Sequence, residues 1–167
     1  MDFLEVIEKR HSVRKFTDEP VGRELLDAII DIARTAPSSK NCHSSAFMVI
    51  EDRDTLQAVS EMRDRGSAFL KDAPAAIVVM GDRSKTDIWV ENASISATFI
   101  QLAATALDLG AVWLSCYPSD RIVDRIRAYL NIPESVTPLA IVPVGYPAGT
   151  PTPKDKWKPE NIHYNKW

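Results

Sequence analysis

Apolar side chains recur along this chain with two different periods. A spacing of three to four residues, which places side chains on one helix face, predicts helices over residues 3–10, 22–36, 54–65 and 120–130. Short apolar runs bounded by turn-forming residues predict strands over residues 46–50, 73–80, 111–117 and 139–145. Helices and strands therefore alternate, and by pattern alone this order favours a parallel α/β sheet.

Two of these segments carry a further expectation about their position. The run at 73–80 is apolar throughout, which is typical of a central strand. Pro143 lies inside the last predicted strand, and a proline cannot donate a hydrogen bond to a β-ladder. We therefore expect an edge position or a bulge at that strand.

The segment from residue 88 to residue 110 is apolar or small on nearly every side. It predicts one long helix with no charged residue between Asn92 and Leu107, so it lacks the charged outer face of a surface helix. We expect it in the core or at an interface between subunits. The alternative is a membrane span, which needs about 20 clean apolar residues. Glu91, Gln101 and Asp108 interrupt the run, so this alternative is disfavoured.

The composition indicates one domain whose partners are small molecules or a second subunit. The 167 residues are enough for one core, and 20 basic against 23 acidic residues leave a net charge of −3. This charge gives no general attraction to nucleic acid or to an anionic membrane. Cys42 and Cys116 form no CxxC pair and have no histidine at ligand spacing, so neither a disulfide nor a zinc site is predicted. The N-terminus lacks the pattern of a signal peptide, so we expect a cytoplasmic protein.

Two polar segments are candidates for ligand binding. In RHSVRKF, residues 10–16, an extended backbone would place Arg10, Ser12 and Arg14 on one face, which suits an anion. Alternatively, these basic residues satisfy the carbonyl groups at the end of the first helix. The loop PSSKNCHSS, residues 37–45, enters a predicted strand and is either a ligand-binding loop or a solvated connection. The scattered glycines form neither a GxGxxG fingerprint nor a P-loop.

The last segment, residues 147–167, differs in composition from the rest of the chain. Four prolines disfavour a packed helix, whereas Trp157, Tyr164 and Trp167 are unusual in ordinary disorder. The segment therefore predicts an arm that docks on another surface.

Five segments together resemble the nitroreductase family of FMN-dependent oxidoreductases. In chain order they are RHSVRKF, APSSKN, ALDLGAVWL, LNIPESVTPLAIVPVGYP and KWKPENIHYNKW. The resemblance implies an α+β fold, in which helices surround a mainly antiparallel sheet and a buried central helix. It also implies a single domain over residues 1–167 and an obligate homodimer, with residues 147–167 as an arm that embraces the partner subunit. The implied sheet direction differs from the one that the pattern favours.

The resemblance further implies an FMN site at the dimer interface, with residues from both subunits. Arg10, Ser12 and Lys156 would hold the phosphate, Arg14 would lie beside flavin N1 and O2, and the backbone N–H of Ser115 would point at N5. The loop at residues 37–41 would come from the other subunit. The full implied set is Arg10, His11, Ser12, Arg14, Pro37, Ser38, Ser39, Asn41, Leu114, Ser115 and Lys156, and further candidates are Arg65, Gly66, His43 and Lys158.

The chain departs from the family pattern after Asn41. Relatives often carry Gln-Pro-Trp there, whereas this chain has His43, Ser44 and Ser45, which makes that wall of the site less bulky. His43 either replaces a glutamine contact or is a structural or solvated residue. At Lys156 many relatives have arginine, whose fork-shaped group binds phosphate more tightly than the point charge of lysine.

The implied activity is a ping-pong oxidoreductase. NADH or NADPH would pass a hydride to flavin N5, and a nitroaromatic, a quinone or a similar electron-poor acceptor would then take the electrons from the same face. Because the cofactor carries the chemistry, no catalytic acid, base or nucleophile is required. The alternatives are an FMN storage or sensor protein without useful turnover, a specialised dehalogenase or flavin-destroying enzyme, and a dimerisation domain without a ligand.

Overall fold

A computed structural model describes residues 1–63, 65–149 and 158–167. The α-helices are α1 (Phe3–Lys9), α2 (Arg23–Arg34), α3 (Arg53–Ser60), α4 (Trp89–Ala106) and α5 (Asp120–Leu130). The strands are β1 (Ser45–Ile50), β2 (Ala75–Asp82), β3 (Gly110–Ala111), β4 (Leu114–Ser115) and β5 (Val136–Gly145). Short 3-10 helices lie at Ser39–Asn41, Ala68–Asp72 and Pro159–Asn161. Each predicted helix is present, with ends that differ by a few residues.

The sheet is antiparallel throughout its paired strands. The strand order is β1-β2-β5-β3, and β4 also pairs with β5. The parallel sheet favoured by the alternating pattern is therefore wrong, and the antiparallel sheet implied by the family resemblance is confirmed. The pattern was misleading because β2 and β3, which α4 connects, do run in the same direction, but β5 lies between them and opposes both.

The position of β5 rules out the edge position expected for the strand of Pro143, whereas the alternative, a bulge, is present in that strand but at Leu139. This strand pairs with β2 on one side and with β3 and β4 on the other, so it is central rather than at an edge. The strand predicted at 111–117 is interrupted: β3 pairs with Val144 and Gly145, whereas β4 pairs with Ala140 and Ile141. Pro143 lies opposite this interruption, where neither short strand requires its missing N–H. A register shift occurs in the same strand, between the pairs Val79–Ala140 and Met80–Pro138.

Helices cover both faces of the sheet and form two apolar clusters. Alternate residues of β2 point to opposite faces, so Ile77 and Val79 pack with α2 and α4, whereas Val78 packs with α3 and α5. The middle strands are buried on both faces, as expected for the run at 73–80. Among the described residues, no helix is long and apolar enough to cross a membrane.

Two predicted helices end earlier than their apolar pattern does. The helix expected at 54–65 ends at Ser60, whose carbonyl accepts a hydrogen bond from the Ser67 hydroxyl at 2.7 Å. The long helix ends at Ala106 because Asp108 adopts a left-handed conformation (φ 58°) and the Leu109 N–H returns to the Ala104 carbonyl. Both ends depend on hydrogen bonds that periodicity does not show.

The apolar sides of α1 and α4 are only partly covered within one chain. In α1 only Val6 is buried, and Phe3, Leu4 and Ile7 keep 69%, 69% and 47% of their surface exposed. The inner face of α4 is buried against α2 and the sheet, but its other face, which includes the exposed Thr98, is less well covered. The prediction that α4 belongs to the core is therefore confirmed for one face.

Gly110 permits the closest approach between the N-terminal segment and the sheet. A Cβ added at this position would lie 2.5–2.8 Å from the side-chain atoms of Val13, well inside van der Waals contact. We expect Gly110→Ala to lower the free energy of unfolding by about 1–3 kcal/mol, because Val13 would have to move out of its buried position. Urea-induced unfolding at a fixed protein concentration measures this change.

The matched control is Gly22→Ala, because a Cβ at Gly22 meets nothing within 4 Å. Gly22 is the N-cap of α2, where this substitution costs well under about 1 kcal/mol. Equal stability of the two variants would contradict the role of Gly110.

Candidate active site

The basic segment at residues 10–16 is extended and is fixed along the edge of the sheet. The Val13 N–H donates to the Ala111 carbonyl at 3.0 Å, and Ser12 forms a parallel bridge with Ala111. Val13 is buried whereas Ser12 and Arg14 are exposed, which agrees with the predicted alternation. The segment therefore presents a hydroxyl and a guanidinium outward beside β3.

The two arginines of this segment keep their charges uncompensated. Within the described ranges, the side chains of Arg10 and Arg14 pair with no carboxylate and no helix carbonyl, so the helix-end alternative does not hold for these two residues. The His11 ring instead contacts the Lys9 carbonyl, with 2.7 Å from Nδ1 to the oxygen. Because a carbonyl only accepts, Nδ1 carries the hydrogen in this contact.

Ser115 lies in β4, the strand that follows β3 in the chain, and β4 has an open edge. Strand β4 pairs with β5 on one side, and no strand in the described part of the chain pairs with its other side. The Ser115 hydroxyl accepts a hydrogen bond from the Trp113 indole at 2.8 Å, and its carbonyl accepts one from the Arg63 guanidinium. Two side chains therefore fix the position of Ser115, whereas Leu114 beside it is buried.

The loop at residues 37–44 is held in shape by one buried amide on α4. Oδ1 of Asn92 accepts from the Ser39 N–H at 2.9 Å, and its Nδ2 donates to the Ser44 hydroxyl at 2.9 Å. Asn92 is 3% exposed; its bond to Ser44 is buried, and its bond to the Ser39 N–H is partly buried. A buried amide with these partners fixes the loop to the N-terminal part of the central helix.

The same loop contains residues in an unusual backbone conformation. Lys40, Asn41 and His43 have φ values of 50°, 55° and 47°, a region that residues other than glycine adopt at a cost. The Ser38 hydroxyl accepts from the His43 N–H at 3.1 Å, and Lys85 Nζ donates to the His43 carbonyl at 3.1 Å. His43 itself is exposed, and the loop borders a cavity of about 660 Å³.

The two polar segments lie at diagonally opposite corners of the sheet. The loop leads into Ser45, which pairs with Gly81 at one end of β2. At the other end of β2, Ala75 pairs with Val144 of β5, and Val144 pairs in turn with Ala111 of β3. Three strand spacings of about 4.8 Å and six residues of about 3.3 Å separate the corners, which gives roughly 24 Å. One chain therefore brings Ser12 to β3 but does not bring residues 37–41 to Arg10 and Arg14.

The remaining candidate residues are dispersed. Arg65 and Gly66 line a cavity of about 520 Å³ near the end of α3, and Gly66 has a left-handed backbone with φ 79°. Lys158 is exposed at the start of a 3-10 helix, and Lys156 lies outside the described residues. Among the described residues, no group of three or more histidine, cysteine or acidic side chains could hold a metal ion.

Neither cysteine is arranged as a nucleophile. Cys116 is 1% exposed, and burial raises the pKa of its thiol to about 12, so it stays protonated at neutral pH. Cys42 is half-buried in the loop, where its sulfur lies 3.4 Å from Nδ2 of Asn92.

Three residues important to this geometry do not emerge from sequence patterns. Asn92 interrupts an apolar helix and could have been recognised as a polar residue that requires buried partners. Trp113 and Arg63 hold Ser115. The Trp113 bond joins residues two positions apart, whereas the Arg63 bond depends on how β4 and the turn after α3 meet in space. No spacing in the sequence indicates that meeting.

The family relationship follows from comparison with known proteins. A model described as "Nitroreductase family" matches residues 7–65 and 56–146. The chain belongs to the nitroreductase family. A nitroreductase-family relative from Methanothermobacter thermautotrophicus, named "Putative NADH dehydrogenase/NAD(P)H nitroreductase", is 42% identical over 170 residues, which cover 100% of this chain and 88% of that protein.

Solved structures of nitroreductases have the same fold. An FMN-dependent nitroreductase from Clostridium difficile R20291 superposes with a TM-score of 0.94 at 34% identity, over 99% of this chain and 100% of that one. A more distant relative is the iodotyrosine deiodinase of Nematostella vectensis, 25% identical over 88% of this chain and 67% of that protein. The predicted nitroreductase-like α+β fold is therefore confirmed.

The role of Asn92 gives a direct test of the loop. We expect Asn92→Ala to lower the free energy of unfolding by about 1–3 kcal/mol, because the buried Ser44 hydroxyl and the partly buried Ser39 N–H would lose their partner. Urea-induced unfolding measures the stability, and limited proteolysis should show faster cleavage within residues 37–44.

The neighbouring variant Glu91→Ala is the control, since Glu91 is exposed on the same helix turn. It should change the stability by less than about 0.5 kcal/mol. Wild-type resistance of the loop in Asn92→Ala would show that other contacts hold it.

Proposed function

We propose that this nitroreductase is an FMN-dependent oxidoreductase that takes electrons from NADH or NADPH and passes them to a small electron-poor acceptor, such as a nitroaromatic or a quinone. The observation that carries the proposal is the pair of guanidiniums at Arg10 and Arg14, which no described carboxylate compensates, on a segment that pairs with β3, the strand just before Ser115. The names of the relatives support the same reductase class and cofactor.

The exposed residues of the N-terminal segment fit the phosphate of FMN. A phosphate group carries close to two negative charges, and a guanidinium with a neighbouring hydroxyl supplies charge-assisted hydrogen bonds to it. We propose that Arg10 and Ser12 bind this phosphate, together with Lys156 and Lys158 of the arm. His11 shares the segment, and its Nε2 remains available because Nδ1 contacts the Lys9 carbonyl.

Two further groups would act on the flavin ring. FMN, when bound, supplies the two-electron chemistry of the reaction. The fixed positive charge of Arg14 stabilises negative charge that gathers on the ring system during reduction. The backbone N–H of Ser115 is held in position, because its carbonyl is bound by Arg63 and its hydroxyl by Trp113.

We also propose that two copies of the chain build each site. The support is the separation of roughly 24 Å within one chain between Ser45, at the end of the loop, and Ala111, the partner of Ser12. A second copy would bring its loop, with Pro37, Ser38, Ser39 and Asn41, to the first copy's Arg10 and Arg14. The exposed apolar side of α1 and the uncharged outer face of α4 are surfaces suited to such a dimer.

The arm would extend this interface. Tyr164 and Trp167 are 83% and 100% exposed in the isolated chain, and His163 stacks on Trp167 with 4.1 Å between ring centroids. Large exposed aromatic groups at a chain end favour docking on a partner surface. We propose that residues 147–167 embrace the other subunit, and the cytoplasmic location stays a prediction.

A ping-pong reaction suits a site that has one open face and no catalytic acid or base. Donor and acceptor would then occupy the same space in turn, which predicts parallel lines in double-reciprocal plots when both concentrations are varied. A dehalogenase is the second candidate, because the iodotyrosine deiodinase relative shares most of the chain. Release of halide from halogenated phenols, without turnover of nitroaromatics, would favour it.

The first test of the function is the colour and the reduction of the protein. The purified chain should bind FMN, and anaerobic NADH or NADPH should bleach its visible absorbance. In Arg10→Ala we expect the Kd for FMN to rise about 10- to 150-fold, because one charge-assisted hydrogen bond to phosphate is lost. Fluorescence titration of the apoprotein with FMN measures this.

Arg23→Ala is the matched control. Arg23 lies on α2 and forms an exposed ion pair with Glu51, so its substitution should leave the FMN affinity unchanged. Retention of wild-type affinity in Arg10→Ala would remove Arg10 from the site. A protein that binds FMN but is not reduced by either nucleotide would instead be a storage or sensor protein.

The shared site can be tested by mixing subunits. Arg10→Ala weakens the part of the site that binds the phosphate and that comes from one subunit. Asn41→Asp places a negative charge in the loop that comes from the other subunit, and aspartate tolerates the left-handed conformation found at this position. After subunit exchange of the two variants, mixed dimers should contain one intact site each, so about a quarter of the sites should regain wild-type FMN affinity. FMN binding before and after exchange measures the recovery.

The control for this experiment is exchange of each variant with itself, which should recover nothing. No recovery in the mixed sample would show that the affected residues belong to a site within one chain.

A further inference from the structure

A second basic cluster lies beside Ser115 and shares no residue with the proposed binding site for the FMN phosphate. It lines the cavity of about 520 Å³ between the end of α3, the 3-10 helix Ala68–Asp72 and α5. Four of the described lining residues are basic, namely Arg63, Arg65, Lys71 and Arg125, and one is acidic, Glu61. Such an excess of one charge around a concave surface attracts ligands of the opposite charge.

No carboxylate among the described residues pairs with the positive charges of this cavity. Arg125 donates to the backbone carbonyls of Met62 and Glu61, at 3.1 and 3.4 Å, and Arg63 donates to the carbonyl of Ser115. A carbonyl accepts a hydrogen bond but carries no net charge, so both guanidiniums remain fully cationic. The carboxylate of Glu61 accepts from the amide of Gln57 instead. The side chains of Arg65 and Lys71 make no hydrogen bond to other described residues.

The cavity is directly connected to the proposed position of the flavin ring. Arg63 lines the cavity and also binds the Ser115 carbonyl, so its side chain reaches from the cavity to β4. A ligand with an anionic part in the cavity would therefore have its remaining part beside Ser115. This arrangement requires a molecule that combines a reactive group with a phosphate a short distance away.

We propose that this cavity binds phosphate groups of the nicotinamide nucleotide donor while the nicotinamide ring reaches the flavin beside Ser115. The inference rests on the proposed reductase function. The acceptor classes do not explain the cavity, because nitroaromatics and quinones carry no obligatory negative charge. A nicotinamide dinucleotide carries a pyrophosphate, and NADPH carries a further phosphate. The donor can therefore form ion pairs with the basic side chains of the cavity, whereas a neutral acceptor cannot.

The cavity also gives Arg65 a different role from a flavin contact. Arg65 is exposed and lies next to the left-handed Gly66, at a turn after α3. Its guanidinium would bind a donor phosphate, and Lys71 would add a second positive charge. Arg63 and Arg125 hold the walls in place through their carbonyl bonds.

The test uses the FMN-loaded protein with the substitutions Arg65→Gln and Lys71→Gln combined. Isothermal titration with NADP⁺ and NAD⁺ measures binding without turnover, and anaerobic stopped-flow bleaching with NADPH and NADH measures the dependence on donor concentration. We expect the Kd for the nucleotide to rise about tenfold and the bleaching rate at saturating donor to stay unchanged. Added salt should weaken wild-type binding more than binding by the variant.

Two controls define the origin of the effect. Arg23→Gln removes an equally exposed arginine on α2 and should leave nucleotide affinity unchanged. Arg65→Lys keeps the charge but loses the guanidinium fork, so its affinity should lie between those of the wild type and Arg65→Gln. A larger loss for NADP⁺ than for NAD⁺ would assign the extra phosphate of NADP⁺ to the cavity, and an equal loss would assign the pyrophosphate.

The outcomes separate this inference from the proposed function. Unchanged nucleotide affinity in the double variant, or loss of FMN from it, would overturn the inference and leave the reductase function standing. A lower saturating rate with unchanged affinity would also overturn it, because the residues would then act on the flavin. A wild-type chain that binds NADP⁺ with this dependence but never binds FMN would support the cavity and overturn the proposed function.

Discussion

The packing of α4 against the sheet is the constraint on which the other features depend. Its inner face consists mainly of small residues, so α2 and the strands approach it closely on a surface without charge. The helix has 18 residues and is therefore about 27 Å long, enough to join the two corners that carry the polar segments. Asn92 near its N-terminus fixes the loop, and its C-terminus leads through Gly110 to the strand beside Ser12.

The arrangement shows how a small chain can perform redox chemistry without reactive side chains. Arg10 and Arg14 place charge, Ser115 offers a backbone group, and the only deeply buried thiol, among the described residues, is held protonated. Each of these is a fixed electrostatic feature, and a bound cofactor would supply the reacting atoms. A fold of this kind needs rigidity at its site, and hydrogen bonds to Ser115 and Asn92 provide it.

Much of the fold could be predicted from the sequence, but less of the site. Helix and strand positions follow from apolar periodicity, and Val13 is buried between exposed neighbours as alternation predicts. Strand direction does not follow, because nothing in the local pattern places β5 between β2 and β3. The contact of Arg63 with Ser115 joins residues 52 positions apart, and the partners of Asn92 are about as distant. Local sequence contains no information on such contacts. The resemblance to a family indicated that Ser115 and the loop at 37–41 belong to a site, but not the side chains that hold them.

The insertion of β5 between two earlier strands has a consequence for biosynthesis. Strand β3 touches the sheet only through β5, and the basic N-terminal segment is aligned by β3 and by Tyr146 and Pro147 just after β5. The segment at residues 10–17 can therefore take up its final path only after β5, more than 100 residues later in the chain, has been synthesised. Fragments that end before residue 136 would lack the strand that unites the sheet, and we expect them to leave this segment without its alignment.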